Sequence, residues 1–190
     1  MNVTDAIETR RAHRSLEPAE ITDELIRDLA HHADLAPSCN NNQPWRFVFI
    51  RDPLQLVKIH EALPKNNKWI ELASMVIVVF SRAGEDCILK ERIYHQFDTG
   101  MGAAFLILRA TELGLVAHPV AGFDEAAIKQ ALEIPENYQV ITLVNVGKHS
   151  ATIHPYLTES QAVRERERPT RYPLEKFAFI DRYTTPTPPP

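Results

Sequence analysis

The sequence predicts a single domain that combines α-helices with β-strands, and three observations lead to this prediction. The chain has 190 residues, a length that suits one domain with a sizeable buried core. Short runs of β-branched and aromatic residues at 45–50, 75–80 and 138–146 indicate strands. Segments with apolar residues at helical spacing, several of them preceded by a capping residue, lie between these runs. We expect the domain to span residues 1–182.

The first two full helices are predicted from their N-terminal caps. Thr22 can cap a helix that carries apolar residues at helical spacing and ends before Pro37. Asp52 and Pro53 give an N-cap followed by proline at the first helical position. The strand at 45–50 is therefore expected to lead directly into a helix.

The middle of the chain contains the most apolar strand and the longest helix. Residues 75–80 are apolar at every position, which is typical of a central strand buried on both faces. Residues 89–113 allow a long helix that Gly114 ends as a C′ glycine. The residues expected on its buried face are Ile93, Phe97, Met101, Phe105 and Leu108. Asp124 can cap the next helix, which leads to the strand at 138–146.

The chain after the last strong strand has a different character. Residues 149–173 are charged and lack a clear pattern, whereas residues 176–180 form a final strand-like segment. A short strand beyond a long polar stretch is typical of an arm that pairs with another subunit, so we expect a dimer arm over about 149–182. The threonine and proline residues after Tyr183 predict a disordered tail over 183–190.

Composition and charge exclude several classes of function. The chain has 21 Lys and Arg against 25 Asp and Glu, a net charge of −4 that does not favour binding to nucleic acid or to an anionic membrane. No apolar run approaches the roughly 20 residues that span a bilayer, and the N-terminus lacks a signal pattern. Cys39 and Cys87 are too few for a disulfide framework and lack the pairing that a zinc site needs. A soluble protein of the reducing cytoplasm, with no metal site, is therefore predicted.

Three arginines, Arg10, Arg11 and Arg14, lie close together near the expected end of a short N-terminal helix. Guanidinium groups bind phosphate oxygens two at a time, and helical spacing would let Arg10 and Arg14 point the same way. A solvated basic face is the alternative interpretation. The residues of the cluster alone leave both interpretations open.

The segment 37–45 is a polar loop that carries several amide side chains between two prolines, directly before a strand. One interpretation is a helix-to-strand turn in which Asn side chains satisfy backbone groups. The other is a binding loop, because these donors and acceptors suit the pyrimidine edge and the ribityl hydroxyls of a flavin.

Taken together, these motifs resemble the FMN-dependent nitroreductase family. The resemblance covers roughly residues 5–147 and depends on the order and spacing of several motifs. The motifs are the arginine cluster, the pattern PSxxNxQPWxF that begins at Pro37, Asp98-Thr99-Gly100, and Gly122-Phe123-Asp124.

The resemblance implies an α+β fold, a three-layer α-β-α sandwich with a mixed, mostly antiparallel sheet. It also implies an intertwined homodimer with two FMN sites at its interface. The electron donor is then NADH or NADPH, and the acceptor is a small electron-poor organic molecule such as a nitroaromatic or a quinone. Since flavin N5 carries the hydride chemistry in this class, no catalytic acid or base is assigned. The alternatives are a different flavin reaction in the same fold (dehalogenation, dehydrogenation or flavin destruction) and an FMN-binding module without its own turnover.

The resemblance assigns the FMN-binding residues one by one. The residues at the phosphate and ribityl chain are Arg10, Arg11, Ala12 and Arg14, with Arg171 from the C-terminal arm. The residues that reach the flavin from the other subunit are Pro37, Ser38, Cys39 and Asn41. The residue at the pyrimidine ring is Asn66, with Lys68 as a second candidate. The residues whose backbone lies against flavin N5 are Pro119, Val120, Ala121 and Gly122.

Two positions and one segment depart from the family pattern. Ala12 replaces the usual serine, so only its backbone can hydrogen-bond the flavin. Ala121 replaces an acidic residue of some members, so their acceptor preference does not carry over. The arm over 149–171 is longer than expected, and its charged run through Arg168 is either a solvated helix or a further phosphate contact.

Overall fold

The structure of the protein is a computed structural model, and it describes residues 1–185. Most of the tail expected over 183–190 therefore lies outside the described residues. Among residues 1–185, none of the helices combines the length and the apolar character needed to cross a membrane.

Helices and strands alternate along the described chain. The helices are α1 (Val3–Thr9), α2 (Asp23–Asp34), α3 (Pro53–Glu61), α4 (His95–Glu112), α5 (Glu125–Leu132) and α6 (Glu159–Arg166). The strands are β1 (Leu16–Glu17), β2 (Arg46–Ile50), β3 (Met75–Ser81), β4 (Ile88–Leu89), β5 (Arg92–Ile93), β6 (Val116–Val120) and β7 (Gln139–His149). The short 3₁₀ segments are Cys39–Asn41, Lys65–Leu72, Ala83–Glu85 and Leu174–Lys176.

The main sheet is centred on β3 and β7, and every strand pair in it is antiparallel. Ile77 of β3 lies opposite Phe49 of β2 on one side and Val144 of β7 on the other. β6 pairs with the other edge of β7, and β1 pairs with the last residues of β7. The prediction that residues 75–80 form a central buried strand is confirmed.

Helices cover both faces of the sheet, which gives the three layers. On one face, Leu29 of α2 and Leu106 of α4 are fully buried in one apolar cluster with residues of β3. On the other face, Ile59 of α3 and Ile128 of α5 pack with Trp69 in a second cluster. Residues of β3 alternate between the two clusters, as the side-chain alternation of a strand requires. Full burial of each such side chain contributes about 1.5–3 kcal/mol.

The predicted helix ends are confirmed where a cap residue defines them. The side chains of Thr22, Asp52 and Asp124 each accept a hydrogen bond from a backbone N–H in the first turn of α2, α3 and α5. Gly114 follows α4 with a φ of +77°, a conformation that glycine adopts without steric cost.

The prediction that Arg10 and Arg14 share a helix face is wrong. α1 ends at Thr9, and Arg10 caps its C-terminus with extended backbone angles. The segment that follows is held by contacts with distant residues and not by a helix, as described below.

The predicted long helix is shorter, and its buried face is different. α4 begins at His95, because the preceding residues form the β4–β5 hairpin. Phe97 and Phe105, which were expected to face inward, are 64% and 42% exposed. The buried face contains small residues such as Gly102, where a Cβ would lie 3.3 Å from the Trp45 ring. Close packing therefore selects the small residues and leaves the large ones outside.

Two further differences concern strands. β6 was not predicted, because Pro119 lies within it; a proline is tolerated there because β6 is an edge strand. The strand expected at 176–180 is absent from the described single chain, in which Phe177 is 62% exposed.

Candidate functional site

Six arginines surround one cavity of about 180 Å³, which we call the anion cavity. Its lining residues are Arg10, Arg11, Ala12, Arg14, Arg164, Arg168, Pro169 and Arg171. The first four follow α1, and the others come from α6 and the chain after it. No carboxylate of the described residues lines this cavity, although the net charge of the chain is −4.

The arginines of the anion cavity disfavour one another's charge. Burial lowers the pKa of the Arg10 guanidinium, and the nearby charges of Arg168 and Arg171 lower it further. Burial is also the main cause of the lowered pKa of Arg14. Like charges at short range are relieved by an anion between them. Arginine forks bind phosphate bidentately, so the cavity is suited to a phosphate group.

A second cavity of about 640 Å³, which we call the large cavity, shares Arg14 and Arg164 with the anion cavity. Its other lining residues are Asn66, Asn67, Trp69, His118, Pro119, Val120, Ala121, Gly122, Thr158, Ser160 and Gln161. The Asn67 side-chain amide donates to the Gly122 carbonyl oxygen at 3.0 Å. A Cβ at position 122 would lie 2.9 Å from the nitrogen of that amide, so a larger residue there would have to displace the Asn67 side chain.

Helix α6 forms one wall of both cavities and is fastened to the segment after α1. The Glu165 carboxylate is 5% exposed and accepts the backbone N–H groups of Arg14 at 2.9 Å and Ser15 at 3.1 Å. Although burial opposes it, hydrogen bonds from His13 and these two N–H groups lower the pKa of Glu165. The Arg11 guanidinium donates to carbonyl oxygens at the end of α6. These contacts fix a helix whose own sequence is mostly polar.

His118 lies at the base of the large cavity. Its ring stacks on Trp69 with 4.7 Å between ring centroids, and its Nδ1 donates to the His13 carbonyl oxygen at 3.0 Å. Burial lowers the pKa of His118 to about 4, against the effect of that hydrogen bond. The imidazole is therefore neutral near pH 7, and its one N–H group is hydrogen-bonded to the His13 carbonyl oxygen.

The structure places three of the four predicted groups of site residues around two neighbouring cavities. Those in the anion cavity are Arg10, Arg11, Ala12, Arg14 and Arg171, and those in the large cavity are Asn66, Pro119, Val120, Ala121 and Gly122. The loop residues Pro37, Ser38, Cys39 and Asn41 line neither cavity. Lys68 also lies outside both cavities, with its ammonium group 4.5 Å from the centroid of the Tyr156 ring.

The loop 37–43 is tied to another part of the chain by a disulfide between Cys39 and Cys87. This pairing corrects the sequence-based interpretation, in which the two cysteines gave no disulfide. They are 48 positions apart, and only the tertiary packing of the loop against the turn before β4 brings them together.

The residues that α6 contributes to the two cavities were not predicted from the sequence. Thr158 and Gln161 form a capping box, and Gln161 also donates to the Asn66 carbonyl oxygen at 2.9 Å. A Thr-x-x-Gln pattern before a charged run is a recognisable helix start, so this signal was present in the sequence. It would have placed Arg164 three positions after Gln161, on the same side of a helix.

Comparison with known proteins gives a consistent result. The model of the Nitroreductase family matches residues 7–64 and 54–148 of this chain. A protein of Archaeoglobus fulgidus, which carries the provisional name NADH dehydrogenase/NAD(P)H nitroreductase, is 34% identical over 74% of this chain and 82% of its own length. An iodotyrosine deiodinase of Haliscomenobacter hydrossis is 29% identical over 73% of this chain and 75% of its own length.

Solved structures agree on the fold. A structure described as an oxidoreductase containing FMN has a TM-score of 0.83 and 28% identity, and the match covers 98% of this chain and 95% of that one. A nitroreductase family protein of Clostridium difficile has a TM-score of 0.79 over 96% of this chain. The predicted α+β fold class and the family resemblance are both confirmed: the chain belongs to the nitroreductase family.

Proposed function

We propose that the protein is an FMN-dependent oxidoreductase, which transfers electrons from NADH or NADPH to small electron-poor organic acceptors such as nitroaromatics or quinones. The proposal rests chiefly on the adjacency of the anion cavity and the large cavity, which share Arg14 and Arg164 and together suit one phosphate joined to a flat polar ring. The similarity to an FMN-containing oxidoreductase supports the same cofactor for this chain. We also propose a cytoplasmic location, since reduced nicotinamides are cytoplasmic metabolites.

The arginines whose N–H donors are not used by other described residues are the best candidates to bind the phosphate of FMN. We propose that Arg10, Arg14 and Arg171 hold the phosphate, with Arg11 and the backbone of Ala12 beside them. Arg168 lies in the same cavity, but its guanidinium donates to the carbonyl oxygens of Glu8 and Arg10. We therefore assign Arg168 first to fixing the end of α1, and only its remaining donors to an anion.

The ring of FMN fits the large cavity. We propose that the Asn66 side chain faces the pyrimidine edge and that the backbone of 119–122 lies along the ring, with Gly122 held in place by Asn67. When bound, FMN supplies the hydride and electron transfer. The chain's own residues bind the phosphate, orient the ring and shape the space in which donor and acceptor bind in turn.

We also propose that two copies of the chain form a homodimer, to which the loop residues Pro37, Ser38, Cys39 and Asn41 contribute from the opposite subunit. An apolar groove of about 550 Å³ lies between α1 and α4, and Val3, Leu35 and Phe105 line part of it. Exposed apolar patches on a soluble chain usually mark an interface. We propose a second copy as the occupant of this groove, because its loop would then reach the flavin site of the first copy. The first copy's own loop does not line that site.

Dehalogenation is the alternative reaction that a specific finding favours, because one relative of similar identity is named iodotyrosine deiodinase. That reaction would use the same cofactor and the same two cavities. Dehydrogenation, flavin destruction and FMN binding without turnover are further alternatives within the same fold. They differ from our proposal in the acceptor and not in the phosphate site.

The test of the proposed function is direct. The purified protein is expected to be yellow, with about one FMN released per chain, because the anion cavity suits one phosphate. Oxidation of NADH and NADPH should then be measured with a quinone, a nitroaromatic and a halogenated phenol. Turnover with the first two supports our proposal, and turnover with the halogenated phenol alone supports the dehalogenase. A colourless protein that takes up no FMN from solution would contradict the assignment altogether.

We expect turnover to need no side chain of the large cavity as a proton donor. His118→Asn should keep kcat within about tenfold of wild type, well short of the 10²- to 10⁴-fold loss that removal of a general acid causes. The reason is that His118 is neutral and donates its proton to the His13 carbonyl oxygen. Single-turnover reoxidation of the reduced protein by a quinone, with FMN content checked in both proteins, measures this step. A loss of 100-fold or more at full FMN occupancy would make His118 a proton donor.

The same variant should change the pH dependence of stability. The folded chain keeps His118 neutral down to about pH 4, whereas an exposed imidazole takes up a proton near pH 6.5. Unfolding therefore binds a proton within this window, and stability is lost as the pH falls through it. Urea unfolding at pH 7 and pH 5 should show wild type losing roughly 2 kcal/mol more than His118→Asn. Equal losses would show that His118 titrates normally in the folded chain.

A further inference from the structure

The disulfide between Cys39 and Cys87 has two chemically different ends. The Cys87 side chain is buried, with 8% exposure, and Cys39 is only partly buried. The amide groups of Asn40 and Asn42 lie 3.4 Å and 3.6 Å from Sγ of Cys87. Hydrogen-bond donors stabilise a thiolate more than a thiol. Cys87 is therefore the better leaving sulfur, and Cys39 is the more exposed of the two cysteines in the single chain.

A buried carboxyl group lies beside the same bond. Asp98 is 2% exposed and accepts the backbone N–H of Cys39 at 2.6 Å. Burial raises the pKa of Asp98, and the neighbouring carboxylate of Asp86 raises it further. Asp86 in turn accepts the backbone N–H of Cys87 at 2.7 Å. Two acidic side chains therefore bind the backbone N–H groups of the two cysteines.

The disulfide joins a loop that contains three residues in the left-handed backbone region. Asn40, Asn41 and Gln43 have φ values of 51°, 57° and 51°, a region that Asn tolerates and that Gln seldom adopts. Within the loop, the Ser38 hydroxyl accepts the backbone N–H of Gln43 at 3.0 Å. The covalent link through Cys39 is a further constraint on the loop, so its loss should allow the loop to move.

We propose that the Cys39–Cys87 disulfide is a thiol-exchange site, at which a low-molecular-weight thiol reduces the pair and releases the loop 37–43. The exchange itself follows from the residues around the two sulfur atoms. Its effect on the cofactor rests on the proposed function, in which this loop contacts FMN of the opposite subunit. Disulfides of cytoplasmic proteins are mostly transient, catalytic or redox-sensing, which agrees with this assignment.

The exchange balances in two steps. The thiolate of the external thiol attacks Sγ of Cys39 and forms a mixed disulfide, while the bond to Cys87 breaks and Cys87 leaves as a thiolate that takes up a proton. A second external thiol then attacks the external sulfur of the mixed disulfide and releases Cys39 as a thiol. Two external thiols are oxidised to their disulfide, and the protein pair gains two electrons and two protons.

Glutathione buffers test the exchange without any substitution. Wild-type protein is equilibrated at several ratios of reduced to oxidised glutathione, quenched with acid and alkylated, and its thiols are counted by mass. We expect complete interconversion of dithiol and disulfide in the absence of denaturant. Free thiols at every ratio, or a disulfide that no ratio reduces, would refute the site.

Single variants show which of the two cysteines glutathione reaches more easily. In oxidised glutathione, Cys87→Ser should acquire an adduct at Cys39 readily, whereas Cys39→Ser should acquire one at Cys87 more slowly, because Cys87 is buried. The reverse order would contradict the assigned direction of attack. Circular dichroism of both variants shows whether they are folded. If a variant is unfolded, the glutathione titration of the wild type still shows whether the disulfide exchanges.

The effect on the loop is measured as FMN affinity. Reduction of wild type should weaken FMN binding by about fivefold or more, the lower end of typical coupling between sites, as measured by quenching of flavin fluorescence. The double variant Cys39→Ser, Cys87→Ser should bind FMN like reduced wild type and should not respond to reductant. Equal affinity of oxidised and reduced wild type would refute release of the loop. If neither form binds FMN, the proposed function fails, while the glutathione result still decides the exchange site.

Discussion

Arg14→Ala is expected to weaken FMN binding roughly 10- to 150-fold, because a charge-assisted hydrogen bond contributes about 1.5 to 3 kcal/mol. Arg14 is the predicted site residue that lines both the anion cavity and the large cavity. Its position is fixed by the bond from its backbone N–H to Glu165 and by the Trp69 ring, whose centroid is 5.6 Å from the guanidinium carbon. Titration by quenching of flavin fluorescence gives the dissociation constant.

Arg27→Ala is the matched control for this substitution. Arg27 lies on the exposed side of α2, lines neither cavity, and loses the same charge when replaced. Arg14→Lys should give an intermediate affinity, because it keeps the charge but loses the bidentate fork. If Arg14→Ala and Arg27→Ala bind FMN equally well, the arginine cluster is a solvated basic face and holds no phosphate.

Phe105→Glu is expected to convert a homodimer into a monomer that has lost most of its FMN affinity. Phe105 lies in the apolar groove between α1 and α4, where a second copy is proposed to pack. Burial of an unpaired charge costs several kcal/mol. In a dimer with twofold symmetry both copies carry the substituted residue, so the interface would contain two such charges. The dimer dissociation constant should therefore rise at least about 100-fold. Sedimentation velocity measures the mass, and absorbance at the flavin wavelength in the same run measures the cofactor.

Leu54→Glu controls for the surface charge. Leu54 is 75% exposed on α3, away from the groove, so this variant should stay dimeric and yellow. A Phe105→Glu protein that is still dimeric would place the interface elsewhere. A Phe105→Glu protein that is monomeric and still binds FMN tightly would show that the loop 37–43 contributes nothing across the interface.

Local signals in the sequence predicted the ends of elements well. Thr22, Asp52 and Asp124 begin their helices because a short polar side chain can satisfy a free N–H, a property that depends on a few neighbouring residues only. Gly114 ends α4 for a similarly local reason. The cavity residues that were predicted came from the resemblance, since their positions along the chain are fixed by motifs that the family shares, whereas those of α6 were not predicted.

Non-local contacts account for what the sequence did not predict. The close approach of α2 and Trp45 to Gly102 decides which face of α4 is buried. Large apolar residues such as Phe105 lie on another, exposed face of the helix. Helical periodicity alone cannot show whether such an apolar face is buried in the core or lies on the surface. The pairing of Cys39 with Cys87 depends on two turns that meet only after folding. The segment after α1 is not helical, because the buried Glu165 accepts its backbone N–H groups.

The contact between Glu165 and the segment at Arg14 and Ser15 joins residues about 150 positions apart. During synthesis on the ribosome, the arginines after α1 emerge long before α6 exists. The anion cavity therefore lacks one wall until α6 has been synthesised and has packed against this segment. We expect the arginines after α1 to hold an anion only once that late contact has formed, so an anion bound there would in turn stabilise the contact between two distant parts of the chain.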